Sequence, residues 1–350
     1  MTIRCLPWRS MTRCLASALA LLTAVGALAD SAPLFTSDEP LVFTLEAPFS
    51  EFHGGEGGRP EIHGTVKLVG EDEILDVKLT ERGHSRLGMC RFPPLKLNFR
   101  RKQVEGTVFA GQNKLKLVTQ CKGSGRYERY LRQEYSIYKA YEELSEAGFR
   151  VRWTTITYRD PEEPSAERTH PAFLIESLNE VAARLGRERI TLDRVPSDRL
   201  DPLESTRYTL FQYLIGNTDW SMIAGADNDG CCHNGKLLAL PGSDTQYVVI
   251  PYDFDQAGLI NTDYAEPAEV LKIRSVRQRV FRGRCIHNDQ LDTVIAQFNE
   301  KREAIATHLA PPGVSKSTNK KTRNYVDEFY DTINDPRARK RRILDVCLAN

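Results

Sequence analysis

The stretch from Gly216 to Asp255 contains three short polar motifs: GNTDW at 216–220, HNGKLL at 233–238 and PYDFD at 251–255. Asp219 comes directly after a helical pattern, Asn234 precedes an apolar run, and Asp253 follows a strand pattern. Phosphoryl transfer uses an acid that orients a hydroxyl, together with an amide oxygen and a second acid that hold Mg²⁺ against phosphate oxygens. The order of these residues therefore predicts a phosphoryl-transfer site.

Two aspartates close the last motif. Asp253 and Asp255 are two residues apart, so in an extended segment both side chains would point the same way and address one metal ion. We therefore predict Asp219 as the catalytic acid, and Asn234, Asp253 and Asp255 as metal ligands.

Each motif also has a simpler interpretation as a turn. The residues at 217–219 are typical of a helix cap or an Asx turn, and Asn234 followed by glycine is a hairpin signal. The segment between the motifs offers Asp227 and Asp229 as rival catalytic acids.

A cation and a matching acid precede the motifs. Lys114 and Lys116 lie on one face of the strand pattern KLKLV, with leucines on the other face. Glu134 falls on the apolar stripe of a helix pattern over 126–146, where burying an unpaired carboxylate is costly. We predict that Lys116 pairs with Glu134 and that Lys116 and Lys114 contact nucleotide phosphates. A surface glutamate at the edge of the stripe is the alternative.

The first 29 residues have the features of a secretory signal peptide. Three arginines and no acid precede an apolar run that is short for a membrane span and ends in Ala27-Leu28-Ala29, a cleavage pattern. An uncleaved anchor is the alternative. We expect export to the periplasm or the extracellular space, with no stable membrane span in the mature chain, because no later apolar stretch is long enough.

The cysteines outside the signal are even in number: Cys90, Cys121, Cys231, Cys232, Cys285 and Cys347. In an exported protein this predicts up to three disulfides, and Cys90 with Cys121 is the preferred first pair because the two flank a β region. Zinc binding is the alternative, although no C-x-x-C spacing supports it.

The overall charge does not indicate a nucleic-acid partner. The chain carries +1, and loss of the signal's arginines leaves about −2. Basic runs near the C terminus, at 316–323 and 337–342, are typical of solvated helix faces, with a weak contact to anionic lipid or glycan as the alternative.

The order of patterns predicts an α+β fold in two lobes. Strand patterns with one helix fill residues 30–178, and mainly helical patterns that carry the three motifs fill 179–350. Ligands often bind between such lobes. The glycine-rich HGGEGG at 53–58 lacks the lysine of a P-loop, and Arg82-GHSR is a basic turn that would contact phosphate or lie in solvent. His170 and His233 receive no role.

The motifs together with Arg82-GHSR, Leu95-KLNF and Phe109-AGQNKLKL resemble the CotH-type atypical protein kinases and, more loosely, HipA-like kinases. The resemblance covers roughly residues 60–260. It implies a protein-kinase-like architecture that binds ATP and Mg²⁺ between the lobes. In it Lys116 would contact phosphate, Glu134 would be its helix partner, Asp219 the catalytic acid, and Asn234 and Asp253 the metal ligands. The long interval between Asp219 and Asn234 departs from ordinary protein kinases.

The resulting expectation is an exported phosphotransferase that moves the γ-phosphoryl group of Mg-ATP to a hydroxyl of a protein or glycan acceptor. A catalytically inactive kinase-like scaffold of the cell envelope is the alternative, and a metal-dependent hydrolase built on the same acids is a third interpretation. The sequence does not indicate an oligomeric state.

Overall fold

The computed structural model describes residues 33–53, 59–83, 86–225 and 230–349. The predicted signal peptide, most of the glycine-rich loop at 54–58, His84 and Ser85 of the basic turn, and the rival acids Asp227 and Asp229 lie outside the described residues.

Ten strands and seven helices make up the described part of the chain. The strands are β1 (Leu41–Glu46), β2 (Glu61–Leu68), β3 (Leu75–Glu81), β4 (Leu95–Phe99), β5 (Lys114–Thr119), β6 (Val151–Arg159), β7 (Arg168–Ile175), β8 (Glu188–Arg189), β9 (Gly235–Ala239) and β10 (Val248–Pro251). The helices are α1 (Gly125–Glu142), α2 (Leu178–Arg184), α3 (Pro202–Ile215), α4 (Leu291–Glu300), α5 (Arg302–Leu309), α6 (Lys316–Asn334) and α7 (Pro336–Arg342).

The first seven strands form a closed barrel in the order β1-β2-β3-β4-β5-β7-β6. All neighbours are antiparallel except β1 and β6, whose parallel pairing, for example of Leu41 with Thr154, closes the barrel. Alternating apolar residues such as Leu79, Leu97 and Leu117 fill its interior.

The closed barrel corrects the predicted architecture. The chain is of the α+β class, but a seven-stranded closed barrel with seven helices is not the two-lobe protein-kinase-like arrangement expected from the sequence, and that expectation is wrong. The strand patterns are local, whereas closure depends on pairing the first barrel strand with β6, far away in the chain. Alternation along a strand specifies its faces and does not specify its neighbours.

The predicted boundary at residue 178 lies where the strands give way to helices, because β7 ends at Ile175 and α2 begins at Leu178. A capping box at Ser177 and Glu180 starts α2. The described residues from Pro33 to Ala349 belong to one compact unit. A division of that unit near residue 178 into separate domains stays a prediction.

The second sheet is small and antiparallel, in the order β10-β9-β8. Pairing of Pro251 with Gly235 and of Val248 with Leu238 makes β9 and β10 a hairpin. Asn234 and Tyr252 therefore lie side by side at one end of the hairpin, where the Tyr252 N–H donates to the Asn234 carbonyl at 3.3 Å.

The helices pack on the outer surface of the barrel and on one another. The apolar stripe of α1 contributes Leu131, Tyr138 and Tyr141 to a core shared with α3 and the C-terminal helices. In the helical C-terminal part of the chain, α4 and α5 meet at Lys301. No helix among the described residues is long and apolar enough to cross a membrane.

Three disulfides bind the described cysteines: Cys90–Cys121, Cys231–Cys232 and Cys285–Cys347. The preferred pair Cys90–Cys121 is confirmed. It closes a loop with a sequence separation of 31, for which the loss of chain entropy in the unfolded state stabilises the fold by about 2–4 kcal/mol. The zinc alternative has no support, because the described residues contain no group of three or more His, Cys, Asp or Glu side chains arranged around a metal position.

Candidate functional site

The three sequence motifs line one cleft of about 810 Å³. The small sheet and the loops that flank it contribute Asp219, His233, Asn234 and Asp253, and the segment after β3 contributes Arg82. The cleft is polar, and its lining includes both carboxylates and cations. Its position beside the hairpin follows from the register of β9 and β10, which brings two of the motifs to the same end.

Asp219 is held by the end of α3. Gly216 ends that helix in the left-handed conformation with φ 65°, and a Cβ at this position would collide with the hydroxyl of Tyr325. The Asn217 Oδ1 then accepts the Asp219 N–H at 3.0 Å, which forms an Asx turn. The turn interpretation of this motif is therefore compatible with a functional one, because Asn217 makes the turn and the Asp219 side chain lies in the cleft.

Asn234 and His233 both contact the Asp219 carboxylate. The Asn234 Nδ2 donates to Asp219 Oδ2 at 2.9 Å and to the Asp219 carbonyl at 2.8 Å. The His233 Nε2 lies 2.7 Å from Asp219 Oδ1. That hydrogen bond raises the pKa of His233, and burial opposes the shift. The two carboxylate oxygens of Asp219 are thus oriented by two neighbouring residues, which leaves the Asn234 amide oxygen directed away from Asp219.

Asp253 and Asp255 differ in burial, although both line the cleft and their carboxylate oxygens lie 3.9 Å and 2.9 Å from Arg86 Nη2. Asp253 adopts φ 62°, so the segment is not extended and the alternation of side chains is broken. The Asp253 carboxylate is 43% exposed, whereas that of Asp255 is 8% exposed. The Asp253 N–H donates to the hydroxyl of Tyr138 on α1 at 2.9 Å, which fixes the turn. Asp253 is therefore available to a ligand in the cleft, whereas the Asp255 carboxylate accepts a hydrogen bond from Arg86.

Arg86, Glu134 and Asp255 form what we call the buried cluster. The Arg86 Nε donates to Asp255 Oδ2 at 2.9 Å, and its Nη2 donates to Glu134 Oε2 at 2.9 Å. Asp253 lies at the edge of the cluster, with its Oδ1 3.9 Å from Arg86 Nη2. Burial and the neighbouring carboxylates raise the pKa of both Glu134 and Asp255, while Arg86 acts in the opposite direction. One guanidinium thus compensates two buried acids.

The predicted Lys116–Glu134 ion pair is therefore wrong, because Arg86 occupies the position expected for the lysine. The Lys116 Nζ instead lies 5.2 Å from the ring centroid of Phe149 and 5.1 Å from that of Tyr252. Burial, together with the charges of Arg82, Lys236 and Arg189, lowers the pKa of Lys116 to about 7, and Asp253 opposes the shift.

The cations that act on Lys116 also border the cleft. Arg82, Arg189 and Lys236 are among its lining residues. The Lys236 Nζ lies 4.9 Å from the Tyr252 ring centroid. Four cations thus surround the region next to Asp253, an arrangement that favours a polyanionic ligand. Lys114 is not part of it, because it is exposed and its charge acts on Glu61 on the barrel surface.

The sequence patterns predict no role for two residues of the site. His233 is one, because a lone histidine gives no signal until its partner is known. Arg86 is the other: it belongs to the basic turn Arg82-GHSR, and the pattern does not distinguish the two arginines of that turn. We call Asp219, His233, Asn234 and Asp253 the open group, in contrast to the buried cluster.

No protein-family model matches this chain, and a search of curated proteins found no match.

Proposed function

We propose that this protein is an ATP-dependent phosphotransferase that moves the γ-phosphoryl group of Mg-ATP to a hydroxyl of a protein or glycan acceptor. The observation that carries the proposal is the cleft itself, whose lining combines the open group with Arg82, Arg189 and Lys236, the three cations that act on Lys116. Carboxylate and amide oxygens together with cations are the chemistry that a magnesium-bound polyphosphate requires.

The residues present fit a magnesium site of the kind that substrate phosphates complete. Asp253 is half-exposed in the cleft, and the Asn234 amide hydrogens are used by Asp219, which directs its oxygen elsewhere. Mg²⁺ is commonly held by one or two carboxylates plus phosphate oxygens and water, so a preformed cage of acids is not needed. When bound, the ion would neutralise charge on the phosphates. Asp255 is excluded from this set because Arg86 occupies it.

Asp219 is the acid that would act on the acceptor. Its carboxylate is held by His233 and Asn234, so little reorganisation is needed for it to orient the acceptor hydroxyl and accept its proton. Lys116, Arg82 and Lys236 would balance the phosphate charge. A bound polyphosphate would also raise the lowered pKa of Lys116, because a nearby anion favours the ammonium form. Nucleotide binding is therefore expected to take up protons near neutral pH.

Three disulfides are typical of proteins in oxidising compartments. Together with the signal-like N terminus of the sequence, they support a site of action outside the cytoplasm. The acceptor would then be an exported protein or a surface glycan.

A thermal-shift titration with Mg-ATP tests nucleotide binding, with Asp253→Asn as the variant and Asp244→Asn as the matched control. Asp244 is an exposed aspartate in the loop that joins β9 and β10, outside the cleft. A ligand at about 100 times its Kd adds about 2.7 kcal/mol to folded-state stability. We expect a rise in Tm of several degrees for the wild type and Asp244→Asn, and little rise for Asp253→Asn.

Transfer of labelled phosphate from ATP to protein and glycan acceptors then separates the two interpretations. A thermal shift with phosphate incorporation that depends on Asp219 supports the enzyme. A shift without incorporation favours a nucleotide-binding scaffold, and no shift in the wild type contradicts the proposal.

A further inference from the structure

A second cavity lies at one mouth of the barrel and shares no lining residue with the cleft. It has a volume of about 210 Å³. The short turn after β1 and the ends of β3, β5 and β6 surround it, because these strand ends meet at the same rim. Barrel mouths are frequent ligand sites. Nothing in the phosphoryl-transfer proposal uses this cavity.

Aromatic side chains form much of its wall. The rings of Phe92 and Tyr158 are stacked with centroids 6.4 Å apart, and Phe49 meets Tyr158 edge to face at 5.8 Å. The Arg168 guanidinium lies 4.2 Å from the Phe92 ring centroid. These flat surfaces favour a planar, apolar ligand group, because aromatic rings gain from stacked and edge-to-face contacts with one another.

Two polar atoms in this wall are buried without a partner. Within the described part of the chain, neither the Tyr158 hydroxyl nor the Arg168 Nε has a hydrogen-bond partner. Burying an unpartnered donor costs stability, and a phenylalanine at position 158 would avoid that cost. Both atoms are shielded from water, so a ligand in the cavity reaches them once the Tyr158 and Arg168 side chains turn toward it. A ligand acceptor atom would satisfy them.

The charges around the cavity favour a neutral ligand. Its charged lining residues are Arg91, Arg168, Glu81, Asp160 and Glu163, so neither sign dominates. The carboxylate of Asp160 accepts backbone N–H bonds from Ser50 and Glu162. The cavity volume limits the size of the ligand, since a cavity of about 150 Å³ holds one benzene molecule. The barrel-mouth cavity therefore accommodates a single ring with a small substituent.

We propose that the barrel-mouth cavity binds a neutral, single-ring aromatic group that carries a hydrogen-bond acceptor, with the acceptor directed to Tyr158 and Arg168. This site is independent of the cleft and of the proposed phosphoryl transfer. The aromatic group would belong to a small metabolite or to the side chain of a larger ligand.

Benzamide is the probe, and its binding is measured by ligand-observed NMR titration with toluene as the apolar comparison. We expect saturable binding of benzamide to the wild type and a loss of about tenfold in affinity for Tyr158→Phe, as for one buried hydrogen bond. Toluene affinity should be the same in both proteins. The Tm of the free Tyr158→Phe variant should equal or exceed that of the wild type, because the substitution removes an unpartnered hydroxyl.

Ala166→Leu, which fills the cavity from its rim, provides the location control and should abolish binding of both probes. Excess Mg-ATP should leave benzamide binding unchanged. Absence of saturable benzamide binding to the wild type, equal benzamide affinity in Tyr158→Phe, or displacement by Mg-ATP would each overturn the proposal. None of these outcomes bears on whether the cleft transfers phosphate.

Discussion

Asp253 and Asp255 are two residues apart, yet they belong to groups with opposite physical character. Asp255, Glu134 and Arg86 have side chains at most 10% exposed, and the arginine bonds to both acids. Asp219, His233 and Asp253 in the open group are 36–43% exposed. In the buried cluster the charged side chains pair with one another. In the open group part of the carboxylate surface stays accessible to a ligand. Burial and partners, more than residue type, separate a structural acid from a functional one.

Removing Arg86, the only cation of the buried cluster, should cause the largest loss in the free energy of unfolding. Arg86→Met leaves two buried carboxylates without compensation, and breaking a buried ion pair from one side costs about 3–5 kcal/mol. We expect a loss of that size in the free energy of unfolding, measured by urea denaturation. Arg82→Met, which removes a cation from the cleft, is the matched control and should cost less than about 1 kcal/mol.

A compensated variant separates lost charge balance from lost packing. Replacing Arg86, Glu134 and Asp255 together with methionine and leucines removes every charge of the cluster, and buried ion networks replaced by apolar groups are often no less stable. This triple variant should recover much of the stability that Arg86→Met loses. A stability of Arg86→Met within about 1 kcal/mol of the wild type would mean that Arg86 does not compensate the two buried acids.

Substitutions in the open group should lower activity strongly and change stability little, the reverse of substitutions in the buried cluster. Asp219→Asn keeps the size of the side chain and removes the proposed proton acceptor, so we expect the proposed phosphoryl transfer to fall by about 100-fold. Its unfolding free energy should change by less than about 1 kcal/mol, because the carboxylate is half-exposed.

Asp255→Asn is the paired measurement and should lower the unfolding free energy by about 1.5–3 kcal/mol, as for a buried charge-assisted hydrogen bond. A large loss of stability in Asp219→Asn, with unchanged stability in Asp255→Asn, would reverse the roles assigned to the two groups.

Local patterns were enough to predict most elements and part of the site. The helix pattern over 126–146 corresponds to α1, the strand pattern KLKLV lies in β5, and the strand pattern before Asp253 is β10. The hairpin brings Asn234 and Asp253 to one end because Pro251 pairs with Gly235. The hairpin signal at Asn234 and Gly235 was misplaced, because Gly235 begins β9 and the turn joins Ala239 to Val248.

The features that local patterns did not predict depend on contacts between residues distant in the chain. Barrel closure requires β1 to pair with β6, and the choice of Arg86 over Lys116 as the partner of Glu134 depends on how the loop after β3 folds onto α1. The positive φ of Asp253 could not be predicted from the sequence either, because few non-glycine residues have a positive φ. The strand that carries Lys116 was predicted correctly, but its pairing with Glu134 was wrong, because the pairing depends on contacts between distant residues.

Lys116 provides a test that joins stability and binding. Its folded-state pKa of about 7 lies below the ordinary 10.5, so between these values the folded protein holds fewer protons than the unfolded chain, and stability rises with pH. Lys116→Met should remove this pH dependence and raise stability at pH 7. It should also weaken Mg-ATP binding by about tenfold, as one charge-assisted hydrogen bond is lost.

Lys114→Met is the control for that variant, because Lys114 lies on the same strand and is exposed outside the cleft. It should change neither the pH dependence of unfolding nor the affinity for Mg-ATP. If both lysine variants bind Mg-ATP equally well, the cation group beside Asp253 does not contact phosphate.

His233 should give the smallest effect, because its contact with Asp219 is partly exposed to solvent. The hydrogen bond raises the pKa of His233 above its ordinary value of 6.5. Its contribution to stability is therefore complete below that value and is lost as pH rises through the higher folded-state pKa. For a half-exposed pair we expect this contribution to stability to be less than about 1 kcal/mol.

A double-mutant cycle of His233→Gln and Asp219→Asn, measured by urea denaturation at acidic and alkaline pH, should show a coupling energy that decreases as pH rises. Coupling that is equal at both pH values would show that the protonated histidine does not hold Asp219.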